Sequence, residues 1–297
     1  MRRRYFTLDV FTDRRFTGNP LAVVLESSGL DAAAMQAVAR EFNLPETVFV
    51  MPEQDSGELA KVRIFTPARE LPFAGHPTVG TAVLLAHLDG GTGARELVLG
   101  EQVGPVACQV RPKGEGGHAT FTIPKLPERL GAVRDMGKLA AALGLYTADF
   151  GFAKFAPENW SAGNPFTFVP LRSLDAVARA RPDMTHWAEA FGPDDPPGAF
   201  LFCAEVADPA HAFHARMFAP KMGILEDPAT GSAVAAFAGV LAASGLSDGV
   251  HHVAIEQGYE MGRPSLLNLS LSIRGSKLES ANVGGDAVIV GEGTIEA

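Results

Sequence analysis

The strongest constraint on the fold is an internal duplication, because short motifs from the first half of the chain recur in the same order in the second half. GNP at 18–20 returns at 163–165. HPTVGTAV, which begins at His76, returns as DPATGSAV, which begins at Asp227. The other repeated pieces are RIFTP from Arg63 and RMFAP from Arg216, and the pairs Glu101-Gln102 and Glu256-Gln257. Repetition of this kind marks a duplicated structural unit, so the sequence predicts two copies of one fold.

Each predicted half contains the same elements, which are a β-branched strand, a helix, two further strands and a long apolar helix. In the first half, Asp31 is a good N-cap for a helix that buries Met35, Val38, Ala39 and Phe42 at helical spacing. In the second half, the segment 233–240 is apolar on every face and has to be enclosed by the rest of its domain. We therefore expect an α+β fold, in which each half wraps a barrel-like, mostly antiparallel sheet around a central buried helix.

The halves are expected at residues 1–128 and 129–297, with the final strands free to pack back on the first half. An active site is expected in the cleft between the halves, where the two copies of the repeated HPTVGTAV-type motif meet.

Composition excludes several classes of function. Apolar residues make up 46% of the chain and the net charge is −9, which argues against a nucleic-acid partner because phosphate binding needs a concentrated basic face. The longest apolar stretch, 233–243, is too short to cross a membrane, and acidic residues near the N-terminus argue against a signal peptide. Cys108 and Cys203 stand alone in apolar stretches, which favours buried free thiols in a reducing, cytoplasmic location.

A metal site is not expected. The only close histidine pairs are His211 with His214 and His251 with His252, and neither has a nearby cysteine or set of acidic ligands typical of zinc.

The repeated motif reads as x-Pro-x-x-Gly-[Ser/Thr]-Ala-Val and predicts that a helix begins within each copy, over 81–88 and 232–244. Free N–H groups and the helix dipole at such a start favour a bound carboxylate or phosphate. The residues expected to bind substrate there are Gly75, Thr78, Gly80, Thr81, Gly231 and Ser232. The alternative is that both segments are simply capped helices that follow tight turns.

The copies differ at the positions that bear chemistry. His76 occupies the place that Asp227 takes in the second copy, and an imidazole opposite a carboxylate suits proton handling. Glu46 precedes an apolar strand in the first half only. A carboxylate held among apolar side chains is expected to have its pKa raised by desolvation, which would make it a usable acid and base. The alternative for Glu46 is an exposed residue at the start of a strand.

GNPLAVV, PETVFV, RIFTP, ELPFAGHPTVGTA, EDPATGSA and EQGYEMGRPS together resemble the PhzF-like phenazine-biosynthesis isomerase family, over essentially the whole chain. The resemblance implies a diaminopimelate epimerase-like fold, a homodimer, and proton transfer between carbons of dihydro-hydroxyanthranilate without a cofactor. It implies that Glu46 moves the proton, that His76 and Asp227 assist, and that Gly75, Gly231 and Ser232 donate hydrogen bonds to substrate. Pro45 stands where many relatives carry serine.

Three hypotheses remain open. The first is an isomerase that moves a proton on a small carboxylate-bearing substrate, with Glu46 as its single acid and base. The second is a non-catalytic protein that binds small acids. The third is an epimerase or racemase of the same fold, which is disfavoured because such enzymes use a thiol from each half where this chain has His76 and Asp227. A phosphate-handling enzyme is weakened by the lack of a Walker lysine or a Gly-x-Gly-x-x-Gly motif after a strand.

Overall fold

The computed structural model describes residues 1–52 and 59–297, and these fall into two compact units. Unit 1 contains Met1–Pro124, Arg263–Leu266 and Asn282–Ala297, and unit 2 contains Lys125–Gly262 and Leu267–Ala281. The chain thus passes into unit 2 after Pro124, and its C-terminal segment belongs to unit 1.

The described residues form strands and helices in alternating groups, as expected for an α+β chain. The elements up to residue 122 are β1 (Arg2–Val10), β2 (Asn19–Val24), α1 (Ala32–Phe42), β3 (Glu46–Pro52), β4 (Ala60–Phe65), β5 (Glu70–Leu71), α2 (Gly75–Leu88), β6 (Arg95–Glu101), β7 (Gly104–Lys113) and β8 (Gly116–Thr122). The remaining elements are β9 (Glu128–Ala132), α3 (Met136–Ala142), β10 (Glu158–Ser161), β11 (Pro165–Pro170), α4 (Leu174–Arg179), α5 (Met184–Ala190), β12 (Ala199–Cys203), β13 (Phe213–Ala219), β14 (Ile224–Asp227), α6 (Gly231–Ala243), β15 (Gly249–Gln257), β16 (Ser265–Arg274) and β17 (Lys277–Glu296).

The strands of unit 1 close into a barrel. The order of pairing is β1, β2, β3, β4, β6, β7, β8 and β17, and residues 282–296 of β17 complete the ring by pairing with β8 and with β1. The β2–β3 and β4–β6 pairs are parallel and the others are antiparallel. Closure removes the open edges that an unpaired strand would otherwise expose.

Helix α2 is the core of this barrel. It packs against β1, β2, β3, β6, β7 and β8, and almost all of its residues are buried. Gly80 permits the close approach, because a Cβ at this position would lie 2.6 Å from Cδ2 of Leu21 and 2.8 Å from Cγ2 of Val10. The predicted central buried helix is thus confirmed in unit 1.

The start of α2 differs from the prediction. The helix was expected from Thr81, but it begins at Gly75. Pro77 fits this earlier start because N–H groups in the first turn of a helix have no intrahelical acceptor, so a residue without one costs nothing there.

Unit 2 repeats the pairing pattern of unit 1. Strands β10, β11, β12, β13 and β15 pair in the order antiparallel, parallel, antiparallel, parallel. Strands β1, β2, β3, β4 and β6 pair in the same order. Helix α6 takes the place of α2, and the ring of Phe237 contacts rings on three strands, those of Phe168, Phe200, Phe202 and Phe213. The predicted duplication is therefore confirmed by strand topology.

Helix α1 of unit 1 is capped as the sequence suggests. The side chain of Asp31 accepts a hydrogen bond from the N–H of Ala34, and Met35, Val38 and Ala39 are buried. Unit 2 carries three short helices instead, α3, α4 and α5, which form a second apolar cluster around Trp187. Among the described residues, no helix combines the length and apolarity that a membrane crossing requires.

Candidate active site

Glu46 is the first residue of β3, where this strand begins its parallel pairing with Leu21 of β2. Its neighbours along the strand, Val48 and Phe49, belong to the core. Glu46 is itself only 8% exposed. The carboxyl group is therefore buried rather than exposed, which decides between the two alternatives that the sequence left open.

His76 lies in the first turn of α2 and meets Glu46. The Nε2 atom of His76 is 3.3 Å from Oε2 of Glu46, and His76 is 4% exposed. Burial lowers the pKa of His76 to about 3, because the imidazolium form would lose its hydration. At neutral pH the pair thus consists of a carboxyl group beside a neutral imidazole, an arrangement suited to proton transfer.

The start of α2 adds hydrogen-bond donors to this pair. Ala74 is the N-cap residue, and within the described part of the chain its side chain makes no capping hydrogen bond. The N–H groups of Gly75 and His76 have no intrahelical acceptor, because they belong to the first turn. Together with the helix dipole they favour negative charge near the histidine.

Three of the residues expected to bind substrate are buried and make contacts within unit 1. Oγ1 of Thr78 lies 2.8 Å from the carbonyl oxygen of Ala74 and 2.6 Å from Oε1 of Glu101. Thr81 is fully buried in the second turn of α2, and Gly80 packs against β1 and β2. These contacts give Thr78 and Gly80 a part in holding the helix, and binding of substrate by Thr78, Gly80 and Thr81 stays a prediction.

Asp227 occupies a different kind of position from His76. It is the last residue of β14, whereas His76 belongs to a helix, so the matched residues of the two motifs do not occupy matched elements. The hydroxyl of Thr230 donates to Oδ2 of Asp227 at 2.6 Å. Gln257 donates from Nε2 to the carbonyl oxygen of Asp227 at 2.7 Å and to Oγ1 of Thr230 at 3.0 Å. The carboxylate of Asp227 is thus fixed just before α6.

Helix α6 begins where the sequence predicted a helix, with Gly231 and Ser232 as its first two residues. Ser232 is partly exposed and Gly231 is buried. Thr230 is the N-cap, and its hydroxyl bonds to Asp227 rather than to an N–H of the first turn. The N–H groups of Gly231 and Ser232 are therefore available as donors in the same way as those at the start of α2.

Glu101 is a residue that the sequence reading missed. It ends β6, it is 8% exposed, and burial raises the pKa of its carboxyl group to about 8 although a hydrogen bond with Thr78 opposes this. Its Oε2 atom is buried and accepts no hydrogen bond from the described residues. The repeated Glu-Gln pair was the available signal, but it was not connected to the site.

Strand register shows why that signal misled. The sequence match aligns Glu101 with Glu256. In the structure, Ala60 of β4 pairs with Leu99, and Phe213, its counterpart in β13, pairs with Ile255. Two residues further along each strand, Glu101 is therefore aligned with Gln257. Glu101 and Gln257 are both buried strand-end residues that touch a threonine near a helix start. They are therefore the structurally equivalent pair.

A second missed feature is a buried ionic network in unit 2. Glu256 accepts hydrogen bonds from the N–H groups of Ala207 and Asp208 and lies 2.7 Å and 2.8 Å from Nδ1 of His211 and His214. Burial alone would lower the pKa of His214, but hydrogen bonds with Glu260 and Glu256 outweigh it and raise this pKa. The two histidines weighed as metal ligands thus pair with carboxylates, and the described residues contain no cluster arranged to hold a metal ion.

The cysteines offer no reactive thiolate. Cys108 and Cys203 are free and buried, and burial raises the pKa of each thiol to about 12. Chemistry that needs a thiolate from each half therefore has no support in these two residues.

Comparisons with known proteins agree over the full length of the chain. The family described as phenazine biosynthesis-like protein matches residues 8–293. An uncharacterized isomerase of Mesorhizobium japonicum is 47% identical over 298 residues, which cover 99% of this chain and 98% of the relative. A trans-2,3-dihydro-3-hydroxyanthranilate isomerase of Pseudomonas fluorescens is 36% identical, with 98% of each chain covered. The crystal structure of a PhzF-family phenazine biosynthesis protein from Bacillus anthracis superposes with a TM-score of 0.88 at 25% identity, over 100% of both chains.

Proposed function

The chain belongs to the phenazine biosynthesis-like protein family, and we propose that it is a cofactor-independent isomerase in which Glu46 moves a proton between two carbons of a small carboxylate-bearing substrate. The observation that carries this proposal is the buried contact of 3.3 Å between Glu46 and the neutral imidazole of His76. Buried carboxyl–imidazole pairs beside free helix N–H groups suit acid–base chemistry better than they suit stability.

In the proposed reaction, the carboxylate of Glu46 takes a proton from a C–H group next to an acidifying group of the substrate. The electron pair left behind is delocalised as enolate-like charge. The N–H groups of Gly75 and His76 at the start of α2 stabilise that charge. Glu46 then returns the same proton to another carbon, so the reaction is an isomerisation with no net gain or loss of atoms.

The neutral state of His76 matters for this cycle. A protonated histidine at this distance would form an ion pair with Glu46 and would hold the carboxylate in its charged form. The neutral imidazole adds no positive charge beside Glu46, and it can hydrogen-bond to the carboxyl group or to the substrate.

For unit 2 we propose binding and orientation rather than proton transfer. The carboxylate of Asp227 is fixed by Thr230 and is 7% exposed, and the N–H groups of Gly231 and Ser232 suit a substrate carboxylate. This role rests on the family resemblance together with the local geometry of α6.

The test is turnover of trans-2,3-dihydro-3-hydroxyanthranilate, the compound in the name of the Pseudomonas fluorescens relative, followed by a panel of small cyclic carboxylic acids. Glu46→Gln keeps the size of the side chain but cannot accept the proton, so we expect turnover to fall about 100- to 10,000-fold. Glu41→Gln is the matched control, because Glu41 is an exposed carboxylate on α1.

Product formation is measured by chromatography, and folding of each variant by circular dichroism. Turnover of a folded Glu46→Gln variant at the rate of Glu41→Gln would contradict the assignment of Glu46. Binding of these acids by the wild-type protein, with no conversion of any of them, would support the non-catalytic binder instead.

A further inference from the structure

The hydroxyl group of Thr78 lies between two oxygen atoms. Its Oγ1 is 2.8 Å from the carbonyl oxygen of Ala74 and 2.6 Å from Oε1 of Glu101, and both contacts are buried. A threonine hydroxyl has one proton and can donate to only one of these oxygens. If the proton goes to the carbonyl, as it commonly does four residues back in a helix, the short contact with Glu101 needs a proton from the carboxyl group.

The surroundings of Glu101 favour that protonated form. Among the residues that the structure describes, no lysine or arginine lines this side of β6, since the inward positions of α2, β4 and β7 carry neither. The titratable side chains that point inward there are His76 of α2, which is neutral, and Cys108 of β7, whose thiol is protonated. Lys61, Arg63, Arg111 and Lys113 on the flanking strands β4 and β7 alternate with the buried residues of those strands and lie on the outer side.

Unit 2 provides an independent comparison. Gln257 is the structural equivalent of Glu101, and its Nε2 donates to Oγ1 of Thr230 at 3.0 Å. A glutamine amide has the shape of a protonated glutamic acid and, like it, carries a donor next to an acceptor. The copy that lacks an ionisable group at this position thus contacts a threonine near its helix start with a neutral donor, although that threonine is the N-cap of α6 rather than a residue inside the helix.

We propose that Glu101 is a positioning residue, a neutral carboxylic acid that donates its proton to Thr78 and so fixes the turn of α2 that carries His76. Ionisation of Glu101 at alkaline pH removes this hydrogen bond and places a negative charge beneath the helix start, which displaces the imidazole from Glu46. The effect on activity rests on the function proposed above, whereas the protonation of Glu101 and its effect on His76 do not.

The direction of the pH dependence follows from burial. Because burial raises the pKa of Glu101 to about 8, well above its ordinary value of 4.5, the folded protein binds this proton more tightly than the unfolded chain does. The stabilisation is fully present below pH 4.5 and is lost as the pH rises through about 8. The substitution Glu101→Gln removes the ionisation but keeps a donor for Thr78.

The first measurement uses the unmodified protein. In the carbon-13 NMR spectrum, the side-chain carboxyl signal of Glu101 should titrate near pH 8, and the ring signals of His76 should shift with the same midpoint. Titration of Glu101 near pH 4 to 5, or a His76 signal that does not respond to it, would overturn the proposal. Glu101→Gln, which loses its own signal, identifies the resonance.

The second measurement is urea unfolding between pH 5 and 8. Relative to Glu101→Gln, the unfolding equilibrium constant of the wild-type protein should increase about tenfold per pH unit, as expected when the folded state holds one extra proton. Gln257→Glu is the mirror variant, since it places an ionisable group at the equivalent position, and it should acquire a new dependence of the same sign. Parallel curves for wild type and Glu101→Gln would contradict the proposal.

The third measurement is the pH profile of turnover. Glu101→Gln should remain active at pH 7 and should keep its activity up to pH 9, where the wild-type rate falls about tenfold for each unit above its midpoint. Thr78→Val, which cannot accept the proton, should lose activity at all pH values, whereas Thr78→Ser should restore it. If turnover of Glu101→Gln fell at alkaline pH as it does in the wild-type protein, the positioning role of Glu101 would be refuted. Full activity of Glu46→Gln would refute only the reaction proposed for Glu46 and His76.

Discussion

The buried glutamates of the two units have different neighbours. In unit 2, Glu256 is surrounded by N–H donors and two histidines, and Arg216 binds Glu226 through Nε and Nη2 of its guanidinium group. In unit 1, Glu46 lies beside a neutral imidazole and Glu101 lies against a hydroxyl group. Hydrogen bonds to Glu256 outweigh its burial and lower the pKa of its carboxyl group, whereas burial raises the pKa of Glu101 to about 8.

The two units also share an arginine–glutamate ion pair at equivalent positions. Arg63 binds Glu70 and stacks over Phe65 in unit 1, and Arg216 binds Glu226 and stacks over Phe218 in unit 2. The duplicated fold therefore keeps one ion pair in both copies. The chemistry proposed for Glu46 depends on positions at which the copies have diverged.

The largest effect is expected when this shared ion pair is broken in unit 2. Arg216 is 3% exposed and also donates to the carbonyl oxygens of Val177 and Ala180. Arg216→Met leaves these acceptors and Glu226 without their donor, and we expect unfolding free energy to fall by about 3–5 kcal/mol.

The matched variant is Arg63→Met, because the side chains of Arg63 and Glu70 are 30% and 26% exposed and solvent can replace part of the interaction. We expect a loss of about 1 kcal/mol. Urea unfolding measures both variants. Equal losses would show that burial of the pair in unit 2 makes no difference.

An effect of intermediate size is expected at the glycines of the two central helices. At Gly239 a new Cβ would lie 2.6 Å from the indole ring of Trp160, and at Gly80 it would lie 2.6 Å from a methyl group of Leu21. Overpacking of this kind costs about 1–3 kcal/mol. Gly239→Ala should cost more than Gly80→Ala, since a leucine methyl group can rotate away and a rigid ring cannot.

Gly93→Ala is the control for both, because a Cβ at this position would meet nothing within 4 Å. Its midpoint of thermal unfolding should stay close to that of the wild-type protein. A larger loss in Gly80→Ala than in Gly239→Ala would show that the barrel of unit 1 is packed more rigidly around its helix.

Some features of this structure could be predicted from the sequence and others could not. The duplication and the enclosed helices followed from repeated motifs and apolar patterns, whereas the sequence left open whether Glu46 is buried or exposed. The earlier start of α2 at Gly75 was missed because the residues before Pro77 carry no side-chain cap. The alignment of Glu101 with Gln257 was missed because it depends on strand pairing between segments far apart in the chain.

The pH dependence of stability should also differ, because the buried histidines of the two units should act with opposite signs. The pKa of His76 is lowered to about 3, so its contribution is present above pH 6.5 and is lost as the pH falls towards 3. The pKa of His214 is raised, so its contribution is present below pH 6.5 and is lost as the pH rises through the folded-state pKa.

Each slope amounts to at most about 1.4 kcal/mol per pH unit. His76→Gln should flatten the acidic side of the stability curve, and His214→Gln should flatten the alkaline side. Denaturant unfolding at half-unit intervals from pH 4 to 9 separates the two. If both substitutions changed the slope of stability against pH with the same sign, the two buried histidines would not differ as proposed.

The central claim that Glu46 acts as a single acid and base can be tested by following the transferred hydrogen. Once the turnover assay has identified a substrate, the substrate is prepared with deuterium at the carbon that loses its proton, and the product is examined by NMR after one turnover in ordinary water. A single shielded carboxyl group returns part of what it removed, so we predict that a measurable fraction of the deuterium appears at the new carbon. A product without deuterium at that carbon, formed at an unchanged rate by Glu46→Gln, would contradict the account.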